Sequence, residues 1–324
     1  MSQSNINLAA DLDYQKTILG SVSRTFALTI PLLPPTLEKV VGNTYLLCRI
    51  IDTVEDVAEL SAETKNTLSN KFLQIVLGHA SAETFVIPCL AALKNYPNQD
   101  ELDLIKHTPN VLNVLHTCDL AQQAAVGQCI SIMSKGMSNF HVKQSQSGLE
   151  NLQEFEAYCY VVAGVVGEML TTIFSHYSPK FASSIQGKEY LAISFGQALQ
   201  MTNILKDAPI DSLRNVSWKP AEMSQQDLLR IAYQKLEDAL QYIKLIPKSE
   251  VGIRRFCLLA FGLASMTLEK IAKYNQHVIP NDVKLTRATV QIFYGLTKLI
   301  STNDFLIGLF FNRSTCYLKK FAGS

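Results

Sequence analysis

Apolar residues recur with a period near 3.6 through almost the whole chain, over roughly 36–58, 62–78, 82–95, 110–139, 151–176, 185–208, 224–246, 251–275 and 283–300. That period lays an apolar stripe along one face of a helix, and convincing two-residue alternation is hard to find. Turn chemistry fills the intervals: Pro34-Pro35, NYPNQD at 95–100, SQSGLE at 145–150, SHYSP at 175–179 and IPKSEVG at 246–252. These read as helix connectors, and no repeat or composition shift divides the 324 residues. The expectation is an all-α, single-domain helical bundle over 1–324, with a core at about 18–300 and a helical tail at 301–324.

Apolar residues make up 48% and charged residues 18%, a balance that calls for buried helices or an apolar cavity. The net charge is +1 and no run of like charge tracks a nucleic-acid backbone, so nucleic acid is not an expected partner. Cysteines 48, 89, 118, 129, 159, 257 and 316 are scattered without a Cys-x-x-Cys pair, as reduced thiols of a cytoplasmic protein are. The N-terminus MSQSNINLAADLDY lacks the basic-then-apolar order of a secretory signal, and FLIGLFF at 305–311 is too short to span a bilayer. No transmembrane helix is expected. FLIGLFFNRSTCYLKKF would pack on the core as a last helix, or lie on a membrane with Arg313, Lys319 and Lys320 among the headgroups.

Two acidic clusters stand out. In CRIIDTVEDVAEL, Asp52 and Asp56 are four apart with Glu55 between them, so three carboxylates crowd one helix turn among Ile50, Ile51, Val54 and Val57. Carboxylates in such apolar surroundings are costly without cations, and Mg²⁺, which takes one or two carboxylates plus phosphate oxygens and water, answers that cost. The alternative is a solvated face with surface ion pairs. About 150 residues later Asn203, Asp207 and Asp211 repeat at i, i+4, i+8 beside Ile204 and Leu205. Two such faces can clamp one diphosphate. Pro209 lies between the last two acids, where it removes a helix hydrogen bond and biases Ala208 away from helical angles. Asn203 and Asp207 precede that break, and the place of Asp211 turns on how the chain passes it.

With their flanks, SRTFALTIPLLP (23–34), TYLLCRIIDTVED (44–56), YCYVVAGVVGEML (158–170) and FGQALQMTNILKD (195–207), the two clusters resemble the squalene/phytoene synthase family, and squalene synthases most closely, over roughly 18–295. The resemblance implies an isoprenoid synthase bundle around a central hydrophobic tunnel that joins two prenyl diphosphates, here farnesyl diphosphate, carbon 1 to carbon 1, and acts as a monomer. It also implies that Asp52, Glu55 and Asp56 form the first metal motif and Asn203, Asp207 and Asp211 the second, where Ile210 departs from the usual glutamate. Ser23 and Arg24 would bind diphosphate and Phe26 would face the reacting carbons; a helix-capping role is the other reading of Ser23. Tyr45 and Arg49 share a face with Asp52, so Arg49 would hold the leaving diphosphate and Tyr45 would hydrogen-bond it or guide the released proton.

Gln200, Lys206 and Arg214 complete the implied diphosphate contacts, with Lys206 standing where the family often has arginine. In the YCYVVAGVVG block Tyr158 would line the tunnel while Val162 and Gly167 leave room for an isoprenoid chain or serve core packing. Phe256, Phe26 and Tyr158 would exclude water and steady a carbocation with their π faces. The family divides after the cyclopropyl intermediate: squalene synthases quench with hydride from NADPH, while phytoene and dehydrosqualene synthases lose a proton. YNQHVIPNDVKLTRATV at 274–290, with Lys284 and Arg287 as nucleotide contacts, resembles the squalene branch, whereas FCLLAFGLA lacks the Ile-Pro-Gln usual after Phe-Cys. The expected cofactors are Mg²⁺ and NADPH. A synthase that needs no reductant and a non-catalytic prenyl-lipid binder are the other readings.

Overall fold

A computed structural model of the chain describes residues 7–141, 148–213, 216–274 and 283–322. Among the described residues there is no strand, only an isolated parallel bridge between Leu149 and Pro220. Helix contacts gather the chain into two compact units, Met1–Val142 and Lys143–Ser324.

The first unit contains α1 (Leu8–Val22), the short α2 (Phe26–Thr29) with a 3₁₀ turn at Ile30–Leu32, α3 (Pro35–Asp56), α4 (Ala62–Val76), α5 (Glu83–Ala92), α6 (Gln99–Lys106), α7 (Thr108–His116) and α8 (Leu120–His141). Side-chain caps set several starts: Asn7 accepts from the Ala10 N–H, Ser61 from Thr64, and Asn98 from Asp100 and Glu101. Helix α3 starts after Pro34, with Pro35 where a missing N–H costs nothing. It packs against α1, α4, α6, α7 and α8, and Leu37, Val40, Leu46, Leu47, Ile50, Ile51 and Val54 are fully buried. At about 1.5–3 kcal/mol for each such side chain, α3 is the axis on which this unit is built.

The helix expected over 110–139 is divided. Thr117 Oγ1 folds back to the Val114 carbonyl at 2.7 Å, and Asp119 Oδ1 accepts from the Gln122 N–H at 2.9 Å, capping a new helix. Helix α6, by contrast, starts inside the NYPNQD stretch read as a break, because Asn98 supplies its cap.

The second unit contains α9 (Leu152–Cys159), one π-helical turn at Tyr160–Gly164, α10 (Val165–Tyr177), α11 (Pro179–Ile185), α12 (Tyr190–Leu213), α13 (Gln225–Leu245), α14 (Val251–Tyr274), α15 (Arg287–Ile300), α16 (Asp304–Ser314) and the short α17 (Lys319–Ala322). Helices α10 and α12 meet backbone to backbone. A Cβ on Gly167 would lie 2.1 Å from the Ala192 carbonyl oxygen, and one on Gly196 would lie 2.1 Å from that of Ala163. The space left by Gly167 is therefore filled by a neighbouring helix, which decides for core packing over room for an isoprenoid chain.

Helix α12 runs through Pro209 to Leu213 without interruption. An interior proline costs a helix roughly 3 kcal/mol, and the contacts of α12 with α13, α14 and α10 outweigh it here. Asn203, Asp207 and Asp211 thus keep their helical spacing, about 6 Å of rise from one to the next.

Arg254 of α14 is fully buried and ties the end of the chain to the core. Its Nη1 donates to the Ile243 and Ile246 carbonyls at 3.1 and 2.6 Å, its Nε to the Ser301 carbonyl, and its Nη2 to Asp304 at the start of α16. Glu269, also on α14, accepts from the N–H groups of Tyr317 and Leu318 at 2.9–3.1 Å. Ile307, Phe311 and Leu318 are buried, so the tail does pack as core helices, while Phe305 and Leu309 face outward. Leu152–Tyr177 and Val251–Tyr274 are long and apolar enough to cross a bilayer by length and composition, and 44% and 78% of their apolar windows are buried inside the protein.

Candidate active site

From Val40 to Val57 every residue is buried except Tyr45, Arg49, Asp52 and Asp56. Their spacing of 4, 3 and 4 is one helical stripe, so α3 opens a single polar line along an otherwise buried surface. Phe26 lies against the Tyr45 ring, 4.9 Å between centroids, and Tyr45 Oη donates to the Val22 carbonyl at 3.3 Å. Burial raises the Tyr45 phenol above its ordinary range, which keeps its proton in place for donation. Ser23 is buried and its Oγ accepts from the Phe26 N–H at 3.0 Å, so in this structure it caps the turn that presents Phe26. Arg24 beside it is exposed.

Arg49 Nη2 pairs with Glu101, whose side chain is only 3% exposed. Burial pulls the guanidinium down, but the hydrogen bond and charge of Glu101 outweigh it and leave Arg49 firmly charged. Tyr96 Oη donates to the other Glu101 oxygen at 2.5 Å, and Thr53 Oγ1 lies 3.3 Å from that oxygen while donating to the Arg49 carbonyl at 2.8 Å. Arg49 Nε is buried without a hydrogen-bond partner. Neither Glu101 nor Tyr96 is among the residues singled out from sequence. Asn98-x-x-Glu101 has capping-box spacing, and the pattern gives no sign that the glutamate turns inward to a helix about 50 residues earlier.

Asp52 is part-exposed as a residue, yet its Oδ1 is buried and has no hydrogen-bond partner. Burial, then the charge of Asp56, pushes its carboxyl up to about 8, with Arg49 pulling the other way. Asp56, the last residue of α3, is exposed. Glu55, expected with the metal ligands, faces α4 instead. It is 1% exposed, its Oε1 accepts from Ser69 Oγ at 2.6 Å, and its carbonyl accepts from Lys65 Nζ at 2.5 Å. Adjacent helix residues point about 100° apart, so Glu55 leaves the Asp52–Asp56 line for the helix interface.

An unpartnered buried carboxylate oxygen with a second carboxylate one turn away suits a hard divalent cation. Among the described residues no group of three His, Cys, Asp or Glu side chains converges to hold a metal unaided.

In the second unit, Gln200, Asn203, Asp207 and Asp211 lie on the accessible line of α12. Lys206 Nζ donates to Asn203 Oδ1 at 3.2 Å and pairs with Asp207 Oδ2 at 3.2 Å, so a cation already sits among these acids. Asp211 lines a pocket of about 270 Å³ with Ile204, Ala208, Ser212, Val216, Ser217, Trp218 and Lys219. The Trp218 ring, which lines that pocket, stacks on Tyr158 at 4.3 Å and 5°. Trp218 and Lys219 are not among the residues singled out from the sequence. Arg214 lies outside the described residues. Phe256 is packed in the core, edge-on to Phe174 at 6.1 Å. Lys284 and Arg287 are both exposed, at and before the start of α15, where the Lys284 carbonyl accepts from Lys270 Nζ at 3.0 Å.

The model of a squalene/phytoene synthase family matches residues 19–228. Among curated relatives, squalene synthase clz20 of Cochliobolus lunatus is 26% identical over 307 residues, covering 86% of this chain and 70% of its own length. Squalene synthase ERG9 of Saccharomyces cerevisiae is 26% identical over 295 residues, covering 84% of this chain and 64% of its own. The chain thus spans about two thirds of these relatives' length. Among solved structures, the complex of TcSQS with BPH1237 superposes with a TM-score of 0.79 at 21% identity, covering 96% of this chain and 92% of that one. A ligand-bound dehydrosqualene synthase gives 0.63 at 20% identity, covering 90% and 96%. These neighbours share the all-α isoprenoid synthase fold.

Proposed function

The chain belongs to the squalene/phytoene synthase family of prenyltransferases, and from that premise we propose that it condenses two farnesyl diphosphates head to head and reduces the product to squalene. The observation that carries the prenyl-transfer reading is the single open stripe of α3, with Arg49, the unpartnered Oδ1 of Asp52 and Asp56 in line beside the Phe26–Tyr45 ring pair.

Asp52 and Asp56 on α3 would hold Mg²⁺, which when bound neutralises the charge that builds on the leaving diphosphate, and Asn203, Asp207 and Asp211 on α12 are a second acidic line that would bind the ion in its own right. Arg49 donates to that diphosphate through a guanidinium that stays charged, so the first C1–O bond breaks against a fixed counter-charge. The Phe26 and Tyr45 rings offer the allylic cation a π surface in place of water. Attack by the second substrate's alkene, with loss of a proton to the released pyrophosphate anion, then gives the cyclopropyl diphosphate. Tyr45 Oη donates its one O–H to the Val22 carbonyl, which orients the ring against Phe26.

The reductive half is supported by relatives that are squalene synthases over most of this chain. NADPH when bound supplies hydride. The described residues offer it two exposed cations, Lys284 and Arg287, and no hydride step is derived from them. Incubating the protein with farnesyl diphosphate and Mg²⁺, with and without NADPH, tests the reading by lipid product. Squalene formed only with NADPH is expected. A C30 hydrocarbon formed equally without reductant assigns the chain to the dehydrosqualene branch, and absence of turnover contradicts both.

The outer faces of α15 and α16 support a membrane-surface reading as well. Ile292, Leu299, Phe305 and Leu309 are 72%, 75%, 76% and 54% exposed. Residues 283–324 carry six basic side chains and one acidic one, Asp304, which Arg254 engages, although the whole chain is only +1. Apolar residues in a basic field fit the surface of an anionic bilayer. Cosedimentation should show binding to phosphatidylglycerol-rich vesicles and little to phosphatidylcholine, and Ile292→Glu with Leu299→Glu should weaken it by about tenfold or more. Equal recovery of the double variant would contradict this.

A further inference from the structure

The leaving-group arginine is not free to choose its direction. Arg49 is held at Nη2 by a buried carboxylate, Glu101, that comes from another helix and is itself fixed by Tyr96 Oη at 2.5 Å. The Glu101 main chain is fixed in turn: its N–H donates to Asn98 Oδ1 at 3.3 Å, the cap of α6. Thr53, one turn beyond Arg49 on α3, donates to the Arg49 carbonyl at 2.8 Å and stands 3.3 Å from Glu101 Oε2. A buried ion pair is poor evidence of stabilisation in itself, because desolvation offsets much of its Coulomb energy. This one leaves two buried polar atoms on the open stripe unpartnered, Arg49 Nε and Asp52 Oδ1. The Arg49 side chain as a whole is still 30% exposed, so the rest of its fork reaches the open side of the stripe one turn from Asp52.

We propose that Glu101 is the positioning residue of the diphosphate site: it holds Arg49 by Nη2 so that the part-exposed remainder of the guanidinium is left to donate to the leaving oxygen, and Tyr96 locks Glu101 in that orientation. The inference rests on the reading of Arg49 as a diphosphate contact. Glu101 touches neither substrate nor metal. Its effect passes through the arginine, and this is what separates it from a residue that merely stabilises the fold.

A double-mutant cycle on turnover tests it, with kcat and KM for farnesyl diphosphate measured at saturating Mg²⁺ on folded protein. Glu101→Gln keeps the size and one acceptor but loses the charge that grips the guanidinium. It should lower kcat about tenfold to a hundredfold while KM changes less than about threefold, because placement matters most as the bond breaks. In an Arg49→Lys background, where the planar fork is already gone, the same substitution should change kcat less than about twofold. Tyr96→Phe should follow the same pattern with a smaller loss, and it carries the test if Glu101→Gln does not fold. An equal loss in both backgrounds, or no loss in the wild type, overturns the proposal. Full activity of Arg49→Lys and Arg49→Gln overturns the underlying assignment of Arg49 instead, whatever Glu101 does.

Discussion

Replacing Asp52 by asparagine is expected to lower turnover by about a thousandfold, the scale of removing a preorganised electrostatic group, and to make the metal-free protein more stable. The second effect follows from the carboxyl's environment. Its Oδ1 is buried without a partner and Asp56 stands one turn away, so burial and like charge together push it up to about 8. A carboxyl that binds its proton more tightly folded than unfolded contributes stability in full below its ordinary range near 4, and that contribution is lost as pH rises to about 8. Asparagine stays neutral throughout. The gain of Asp52→Asn should therefore be absent near pH 4, grow with pH, and level off above pH 8 at on the order of 2–3 kcal/mol, once the solvent reach of a part-exposed side chain is discounted. Thermal unfolding at several pH values, in chelator, reads it. A variant less stable than wild type at pH 8.5 would contradict the picture of a site held at the expense of stability.

Arg254→Met is expected to cost about 3–5 kcal/mol, the largest stability loss among the substitutions considered. The change leaves the carbonyls of Ile243, Ile246 and Ser301 without their donors and removes the buried partner of Asp304. Lys248, 3.4 Å from Asp304 and largely exposed, offers only partial compensation. Because these groups tie the ends of α13 and α15 to the start of α16, proteolysis should reach the last helix first. Urea unfolding and limited digestion would show both, and a midpoint shift equivalent to less than about 0.5 kcal/mol would contradict the anchoring role.

Helical class was legible because the 3.6 period is imposed by burial of one face, and α3, α4, α13, α14 and α15 lie where that period placed them. The acidic stripe was legible for the same reason: Tyr45, Arg49, Asp52 and Asp56 interrupt an apolar helix at helical spacing. What sequence could not carry was the direction of side chains whose partners come from elsewhere. Glu55 differs from Asp56 by one residue and by a helix face, and on that face it meets Ser69 of α4. Glu101 carries the spacing of a helix cap yet serves Arg49. Of the adjacent Arg254 and Arg255, the first is sealed in the core while the second donates to the Lys298 carbonyl at 3.3 Å, a choice set by the rotation of α14. Pro209 is the opposite case, where a strong local signal for a break yields to the packing of α12.

If the open line of α3 is a magnesium-dependent diphosphate platform, calorimetric titration of inorganic pyrophosphate detects it without turnover. With Mg²⁺ present, the wild-type protein should bind pyrophosphate, Asp52→Asn should bind at least about tenfold more weakly, and binding should collapse in chelator. Equal pyrophosphate affinity in wild type and Asp52→Asn, or affinity that ignores Mg²⁺, would contradict it.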